Sequence, residues 1–309
     1  MIKLRKWQEE AFMVFKDKVK TERQFYTVAA VGSGKTIFSA VCASYFLSSR
    51  KNAKIIIIAP QRIVKKQWSD TFQRLGLHID YDYNGGLLRN GYQGVSVTYA
   101  GLVYSLLDLV GIVDENTLVI LDEIHHTNTS KKINENAWGK AVAYLEQKAK
   151  PGFVLDLSGT PWRTDEKQIL FTPYVQDDDE RLWVKPDFSY TYSEAVRDRV
   201  NRPVIFDFFG GTMTLEEKGV KRIVSFKDIE YEDQRTVLTA ALEGDWIFAI
   251  LDKFYSDLTN AREKQIGSKF LSGGLIVCKD QASARTIKKL VDQRYGINAC
   301  LVKIGRAHV

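Results

Sequence analysis

Apolar residues in the first half of the chain follow two alternating spacings. From Leu4 to Phe15 they recur every three or four residues, which is the spacing of one buried helix face. Further helix-like segments lie near 37–47 and 100–110. Between the helices, continuous apolar runs with the length and β-branched content of strands inside a parallel sheet occur near 54–59, 95–99, 117–121 and 152–157. The pattern predicts an α/β fold, with helices flanking a parallel sheet.

After residue 164 this alternation loosens. The segment 190–206 suggests a helix with a strand or hairpin, and two helices are expected at 234–242 and 245–262. A strand at 275–278, a helix at 281–295 and a strand from 298 resume the α/β pattern. We predict a first lobe at 1–165, a connecting region at 166–270 and the start of a second lobe at 271–309. Residues 304–309 fit no element, so we expect an artefact tail on a C-terminally truncated chain.

Composition is that of an ordinary globular protein. The chain has 309 residues, 45% of them hydrophobic, which leaves room for about two domains. No apolar run approaches the ~20 residues of a membrane span, and the basic start leads into an amphipathic helix rather than a signal peptide. We therefore expect a cytoplasmic protein with no membrane partner. Its 3 cysteines form no C-x-x-C pair, so neither a disulfide framework nor a zinc site is indicated.

Positive charge is concentrated at the N-terminal end. Residues 1–75 hold 15 Lys and Arg against 5 Asp and Glu, a net +10, whereas the whole chain carries +6. A polyanion such as nucleic acid would be attracted to this end. Solvated faces of basic helices explain the same count equally well.

A strand, a glycine loop and a helix start follow one another directly at 28–36, which read V-A-A-V-G-S-G-K-T. The Gly32-Ser33-Gly34 turn allows backbone N–H groups to point inward, and the helix that begins at Lys35 adds the positive end of its dipole. Lys35 can then reach the β and γ phosphates of a bound polyphosphate, and the Thr36 hydroxyl can bind the accompanying Mg²⁺. Ala29 replaces the first glycine of the usual G-x-x-x-x-G-K-[ST] motif. A glycine turn that only caps a helix is the alternative.

Two carboxylates come directly after the apolar strand at 117–121. Ligands of open α/β sheets bind at this end of the strands. Asp122 is suited to hold Mg²⁺ through its water shell, and Glu123 to orient and deprotonate the water that attacks the γ-phosphate. Simple strand termination is the alternative, and the upstream phosphate loop argues against it. His125 and His126 lack a third ligand at zinc spacing.

Three further segments carry candidate chemistry. Gln8 has a donor and an acceptor side by side, the pair that reads an adenine edge, although an ordinary surface helix is an equal alternative. Arg62 follows the strand at 54–59 and is placed to grip a phosphate backbone; the solvated face of a helix is the alternative. Ser158 and Thr160 follow the strand at 152–157. If that strand neighbours the one before Asp122, their hydroxyls lie near Asp122 and His125 and can transmit the state of the phosphate site. A plain strand-to-loop turn is the alternative.

These segments together resemble the superfamily 2 helicases and translocases, in the DEAD/DEAH-like group that includes type III restriction enzyme ATPase subunits and repair helicases. The matching stretches, in chain order, are Leu4 to Gln8, Ala29 to Thr36, Ala59 to Arg62, Asp122 to His125 and Ser158 to Pro161. Gly159 departs from the alanine usual in the last motif.

The resemblance implies a motor of two RecA-like lobes, here with an incomplete second lobe. ATP and Mg²⁺ would lie in the cleft and a nucleic-acid strand across the top. It implies that Arg5 and Gln8 contribute to the nucleotide site, and that Arg62 and the Thr98-Tyr99 turn touch the strand. It also implies that His125, Ser158 and Thr160 couple hydrolysis to movement.

The sequence thus predicts a nucleic-acid-stimulated ATPase that moves on or separates DNA, RNA not being excluded, with a nuclease or methyltransferase subunit as a possible partner. Because the second lobe is incomplete, we expect this chain to turn over ATP slowly. The rival prediction is a non-catalytic, nucleotide-gated binding module of a restriction or defence complex. A kinase or another P-loop enzyme is a third prediction, disfavoured by the second α/β segment.

Overall fold

The computed structural model describes residues 3–129, 136–163, 165, 167–204, 210–217, 219–226, 234–243, 246–267 and 271–302. The chain divides into two compact units, 1–204 and 205–309. The predicted tail at 304–309, and the last two residues of the predicted strand near 202–206, lie outside the described residues. No helix in the described ranges is long and apolar enough to span a membrane.

The first unit alternates strands and helices as the apolar spacing predicts. Its helices are α1 (Lys6–Thr21), α2 (Lys35–Ser49), α3 (Arg62–Gln73), α4 (Tyr99–Tyr104), α5 (Leu106–Ile112), α6 (Ala137–Ala149) and α7 (Tyr192–Arg197). Its strands are β1 (Gln24–Ala29), β2 (Lys54–Ala59), β3 (Ile79–Asp80), β4 (Gly94–Thr98), β5 (Thr117–Asp122), β6 (Phe153–Ser158), β7 (Tyr174–Gln176), β8 (Leu182–Val184) and β9 (Phe188–Tyr190).

Seven of these strands form one sheet in the order β3-β4-β2-β5-β6-β1-β9. Every pairing in it is parallel, which confirms the predicted α/β fold with a parallel sheet. The neighbouring strands β5, β6 and β1 end at the same edge, so they carry the acidic pair, the Ser158 turn and the phosphate loop to one place. β9 lies in the segment predicted to connect two lobes, yet it pairs with β1.

Helices cover both faces of the sheet. On β2, Ile55 and Ile57 face the core that includes residues of α1, α2 and α3, whereas Ile56 and Ile58 face the core that includes residues of α4, α5 and α6. All four side chains are fully buried. Full burial of such a side chain contributes roughly 1.5–3 kcal/mol, so the central strand is held from both sides. The loops at the strand ends are thereby placed on a rigid support.

The described residues of the second unit form an antiparallel hairpin and three helices. The hairpin pairs β10 (Thr212–Glu217) with β11 (Val220–Ser225), and the helices are α8 (Gln234–Glu243), α9 (Trp246–Glu263) and α10 (Gln281–Tyr295). The three helices match the predicted ones. The strands predicted at 275–278 and 298–302 do not form within the described residues. An apolar run becomes a strand only when a neighbour accepts its backbone hydrogen bonds, and no described strand lies beside either run.

Candidate nucleotide-binding site

The loop between β1 and α2 has the backbone shape of a phosphate cradle. Gly32 and Gly34 adopt left-handed backbone angles, with φ of 77° and 100°. A Cβ atom on Gly34 would lie 2.8 Å from the Gln8 amide nitrogen, so there is no space for a side chain. The left-handed φ of Gly34 also disfavours any residue other than glycine. Lys35 then begins α2, whose first N–H groups have no partner within the helix. The loop therefore presents backbone donors at a helix N-terminus.

The start of α1 packs against this loop. The Arg5 guanidinium donates to the Ser33 carbonyl, and Trp7 Nε1 donates to the same oxygen at 3.2 Å. Gln8 Nε2 donates to the Gly34 carbonyl at 2.9 Å, while Gln8 Oε1 accepts from the Arg5 N–H at 2.8 Å. The predicted site residues Arg5 and Gln8 thus lie at the loop. Gln8 is buried with its amide bound to backbone groups, and its adenine contact stays a prediction.

Lys35 joins the phosphate loop to the acidic pair. Its Nζ lies 3.2 Å from Glu123 Oε1 and donates to the Ala29 carbonyl at 3.3 Å. Both partners are largely buried, with 10% of the Lys35 side chain and 23% of the Glu123 side chain exposed. Thr36 follows Lys35 in the first turn of α2 and is partly buried. The structure therefore brings the basic and acidic halves of the predicted site together.

Asp122 is more deeply buried than Glu123, the other acidic residue of the site. It is 6% exposed, its Oδ2 accepts from Trp68 Nε1 at 2.8 Å, and its carbonyl accepts from the Tyr99 hydroxyl at 3.0 Å. Burial raises the pKa of this carboxyl to about 6, because desolvation disfavours the charged form, and the Trp68 hydrogen bond opposes the shift. A bound cation would favour the carboxylate in such a position.

Glu123 is aimed by the backbone around it. Its φ is 52°, a left-handed angle that is uncommon for a residue with a side chain, and it precedes the 3₁₀ turn Ile124–His126. Glu123 Oε2 accepts from the Gly159 N–H at 3.1 Å and lies 3.4 Å from His125 Nδ1. Strain at functional positions is common in folded proteins. The carboxylate is thus fixed between Lys35 and the loop after β6.

The three predicted coupling residues form one hydrogen-bonded group. His125 Nδ1 lies 2.9 Å from Ser158 Oγ and 3.5 Å from Thr160 Oγ1, and the Thr160 N–H donates to Ser158 Oγ at 3.2 Å. Burial, followed by the nearby His126 charge, lowers the pKa of His125. The expected neighbourhood of the Ser158 turn and His125 is confirmed, because β5 and β6 pair in the sheet. The coupling role itself stays a prediction.

The three predicted nucleic-acid contacts have different surroundings. Arg62 is exposed at the first position of α3. Thr98 caps α4, its hydroxyl accepting from the Gly101 N–H at 2.9 Å. The Tyr99 side chain needs a correction: it is fully buried, stacks on Trp138 with ring centroids 5.6 Å apart and supports Asp122. It lies inside the protein and cannot reach a strand on the surface.

Two side chains that sequence reasoning did not single out hold the site in place. Trp68 lies in α3, and nothing in the apolar spacing of this segment indicates its hydrogen bond to Asp122. Arg163 donates to the carbonyls of His125 and Thr127 and is paired with Asp165 through two hydrogen bonds of 2.8 Å. Arg163 thereby ties the loop after β6 to the turn after β5.

The residues present fit a magnesium polyphosphate. The left-handed glycines open the cradle, and the fully buried Ser33 Oγ has no hydrogen-bond partner among the described residues. A hydroxyl and a carboxylate, from Thr36 and Asp122, are the oxygen ligands that Mg²⁺ prefers. An ammonium on Lys35 supplies the positive charge that a phosphate chain requires.

Residues 1–163 match the model of the family described as "Type III restriction enzyme, res subunit". This match covers just over half of the chain. The chain belongs to the type III restriction enzyme res subunit family. The resemblance to superfamily 2 helicases is thereby confirmed, and residues 1–163 are a helicase-like ATPase domain of this family.

Two mycobacterial proteins are similar to this res-family chain over most of its length. Uncharacterized protein ML1624 of Mycobacterium leprae (strain TN) is 31% identical over 299 residues, which cover 94% of this chain and 48% of that protein. Uncharacterized protein MT2985 of Mycobacterium tuberculosis (strain CDC 1551 / Oshkosh) is 30% identical over 297 residues, covering 93% and 47%. The chain spans about half the length of these relatives.

Solved structures with a similar chain path include two DNA complexes. The type ISP restriction-modification enzyme LlaGI, a nuclease-deletion mutant bound to a DNA substrate mimic, has a TM-score of 0.47 and 14% identity over 96% of this chain and 27% of that chain. The Sulfolobus solfataricus SWI2/SNF2 ATPase core with dsDNA has a TM-score of 0.42 and 20% identity, covering 52% and 32%.

Proposed function

We propose that this res-family chain binds ATP with Mg²⁺ and hydrolyses it to drive movement on nucleic acid, most simply DNA. The observation that carries the proposal is the 3.2 Å contact between Lys35 Nζ and Glu123 Oε1. It brings the phosphate loop and the acidic strand end into one buried site. If the glycine turn only capped a helix, or if the strand merely ended in two acidic residues, nothing would require Lys35 and Glu123 to be in contact.

Each residue of this site has a task that its surroundings support. Lys35 and the N–H groups of the loop would hold the phosphate chain, and Thr36 with Asp122 would hold Mg²⁺. When bound, Mg²⁺ neutralises charge on the phosphate oxygens. Glu123 would orient the attacking water and accept its proton at a carboxylate oxygen, while the Gly159 N–H keeps that carboxylate in place.

Coupling to movement would run through the group around His125. Its ring contacts Ser158 and lies 3.4 Å from Glu123 Oε2, so a change at Glu123 reaches the loop after β6 directly. Arg62, exposed next to this edge, would contact the phosphate backbone of a strand. The basic N-terminal end favours a polyanion. Because the family description names a restriction enzyme, we propose DNA as the substrate and a nuclease or methyltransferase as the partner. We also propose a cytoplasmic setting, as expected from the sequence.

The test is nucleotide binding and ATP hydrolysis, with and without single-stranded DNA, in the 309-residue chain and in the full-length M. leprae relative. Lys35→Ala should abolish binding of a fluorescent ATP analogue. Glu123→Gln should keep binding but reduce turnover by at least about 100-fold, the scale of general-base catalysis. Glu115→Gln, a change at an exposed acid before β5, is the matched control.

Different results would contradict different parts of the proposal. Full turnover in Glu123→Gln would overturn the role of that carboxylate. Rates that ignore DNA in both proteins would overturn movement on DNA. Tight ATP binding without hydrolysis in the full-length relative would favour the nucleotide-gated module instead.

A further inference from the structure

The carbonyl of Val31, in the phosphate loop, is bound by a side chain far along the sequence. Asn201 Nδ2 donates to this oxygen at 2.9 Å. The amide oxygen of the same side chain lies 3.8 Å from the position that a Cβ atom on Gly32 would occupy. Asn201 is outside the matched residues 1–163 and belongs to the segment predicted as a connection between lobes. It nevertheless contacts the phosphate loop of the candidate site.

The other carbonyls of the loop are held from different directions. Ala30 O accepts from the Ser33 N–H at 3.1 Å, and Ser33 O accepts from α1. Arg5 Nη1 lies 3.5 Å from Gly32 O, and Gly34 O accepts from Gln8. Each carbonyl of residues 30–34 therefore has a donor, and Asn201 supplies the side-chain donor for Val31.

Carbonyl orientation matters because a carbonyl oxygen is the negative end of the peptide dipole. An oxygen turned towards the cradle would repel a phosphate, and turning it outward directs the neighbouring N–H groups inward. Val31 is 63% exposed, so packing of its own side chain does little to hold this peptide. The bond from Asn201 restricts it instead.

Asn201 is itself firmly positioned. Its N–H and that of Val200 both donate to the carbonyl of the buried Ala195, at 3.0 and 2.8 Å, through a turn in which Arg199 has a φ of 57°. Ahead of this turn, β9 pairs with β1, and the Tyr190 carbonyl accepts from the Ala30 N–H at 2.9 Å. The segment from β9 to Asn201 is thus anchored to the strand that leads into the phosphate loop.

We propose that Asn201 is a positioning residue of the phosphate loop, which orients the Val31 peptide for binding of a nucleoside polyphosphate. This inference rests on the proposed function, since it concerns the same site. It predicts that Asn201 acts on the phosphate chain and not on the base. It also predicts that the segment after β9 belongs to the nucleotide site and is more than a connection.

The experiment measures the Kd of ATP, ADP and adenosine, with Mg²⁺, for the 309-residue chain carrying Asn201→Ala or Asn201→Asp. Asn201→Asp has the same size but no N–H donor, and it adds a negative charge beside the cradle. Tyr192→Phe is the matched control. It removes the hydroxyl that donates to Arg202 O at 2.7 Å and accepts from the Val204 N–H at 2.8 Å, so it loosens the same segment without touching the loop.

We expect Asn201→Ala to weaken ATP binding about five- to tenfold, the scale of one hydrogen bond. Asn201→Asp should weaken it more, with part of the loss recovered at high salt, where the added charge is screened. The loss should shrink from ATP to ADP and vanish for adenosine. Asn201→Gln, which keeps an amide donor, should recover part of the affinity, and KM for ATP should rise more than kcat falls.

Unchanged ATP affinity in both Asn201→Ala and Asn201→Asp would overturn the inference, as would an equal loss in Tyr192→Phe or an equal loss for adenosine. Failure of the proposed function looks different, because then the unaltered chain does not bind ATP or Lys35→Ala binds it equally well. If Asn201→Ala lowers the midpoint temperature of thermal unfolding, the role of Asn201 is still tested by the isosteric Asn201→Asp and by the comparison of ATP, ADP and adenosine.

Discussion

Gly159 stands where the helicase resemblance implies alanine, and the structure shows what a methyl group would meet there. A Cβ atom on Gly159 would lie 2.8 Å from Lys35 Nζ and 2.8 Å from Val31 Cγ2. Both distances are shorter than real contacts of a Cβ atom, so the two side-chain ends must move. We predict that Gly159→Ala displaces the Lys35 ammonium and thereby weakens binding of a triphosphate.

The size of the effect follows from the ion pair. An ordinary contact needs a separation of 3.4 Å or more, so Lys35 Nζ must shift by about 0.6 Å. If the whole shift lengthens the pair with Glu123, its separation grows from 3.2 Å to about 3.8 Å. At an effective dielectric constant of about 20, this costs about 0.8 kcal/mol. The same displacement from an anionic phosphate corresponds to roughly fourfold weaker binding.

The assay is titration of a fluorescent ATP analogue, with the free energy of unfolding measured in parallel in urea. Gly111→Ala is the matched control, since Gly111 lies in α5 with nothing within 4 Å of a Cβ atom. That change should stabilise the chain by up to about 1 kcal/mol and leave nucleotide affinity unaltered. Adding Val31→Ala to Gly159→Ala should recover part of the affinity, because it removes one of the two contacts.

An ATP affinity of Gly159→Ala within twofold of the unaltered chain, with an unaltered free energy of unfolding, would refute this reasoning. It would mean that Lys35 has room to move without cost. A loss of the same size in Gly111→Ala would show that the effect is not specific to the site.

Two further predictions concern buried groups beside the site. Trp68→Phe keeps an aromatic ring but removes the hydrogen-bond donor to Asp122. We expect the free energy of unfolding, measured in urea, to fall by about 1–3 kcal/mol, and ATP hydrolysis to require a higher Mg²⁺ concentration. Unchanged values for both would contradict this prediction. Burial raises the pKa of Asp156 to about 7, so at intermediate pH the folded chain retains a proton that the unfolded chain releases. The free energy of unfolding should therefore fall as pH rises from about 4 to 7. Asp156 should contribute up to roughly 4 kcal/mol of this decrease. Asp156→Asn, whose amide oxygen can still accept from Gln24, should reduce that slope in urea unfolding at several pH values, and an equally steep slope would exclude Asp156 as its source.

Much of the first unit follows from local sequence patterns. The β-branched runs and the helical spacings predict β2, β4, β5 and β6, together with α1, α2 and the helical segment of α4 and α5, because these patterns depend on neighbours along the chain. The helix α6 was not predicted. The meeting of Lys35 with Glu123 follows as well. Parallel strands end at one edge of a sheet, so residues placed after two such strands converge there.

Contacts between residues far apart in the sequence could not be predicted from these local patterns. Tyr99 directly follows Thr98, the last residue of β4, but the position of Trp138 decides that its ring is covered. The runs at 275–278 and 298–302 have the composition of strands, yet strand pairing depends on a partner and not on the run itself.

The amino-acid sequence by itself determined the α/β alternation and the chemistry of the loop and the acidic pair, because spacing and residue type are local properties. Only the tertiary structure decided which groups hold that chemistry in place: Trp68 on Asp122, the Gly159 N–H on Glu123, and Asn201 on Val31. These bonds join residues 36 to 170 positions apart. No periodicity or short motif records such distances, and they exist only once the strands have paired and the helices have packed.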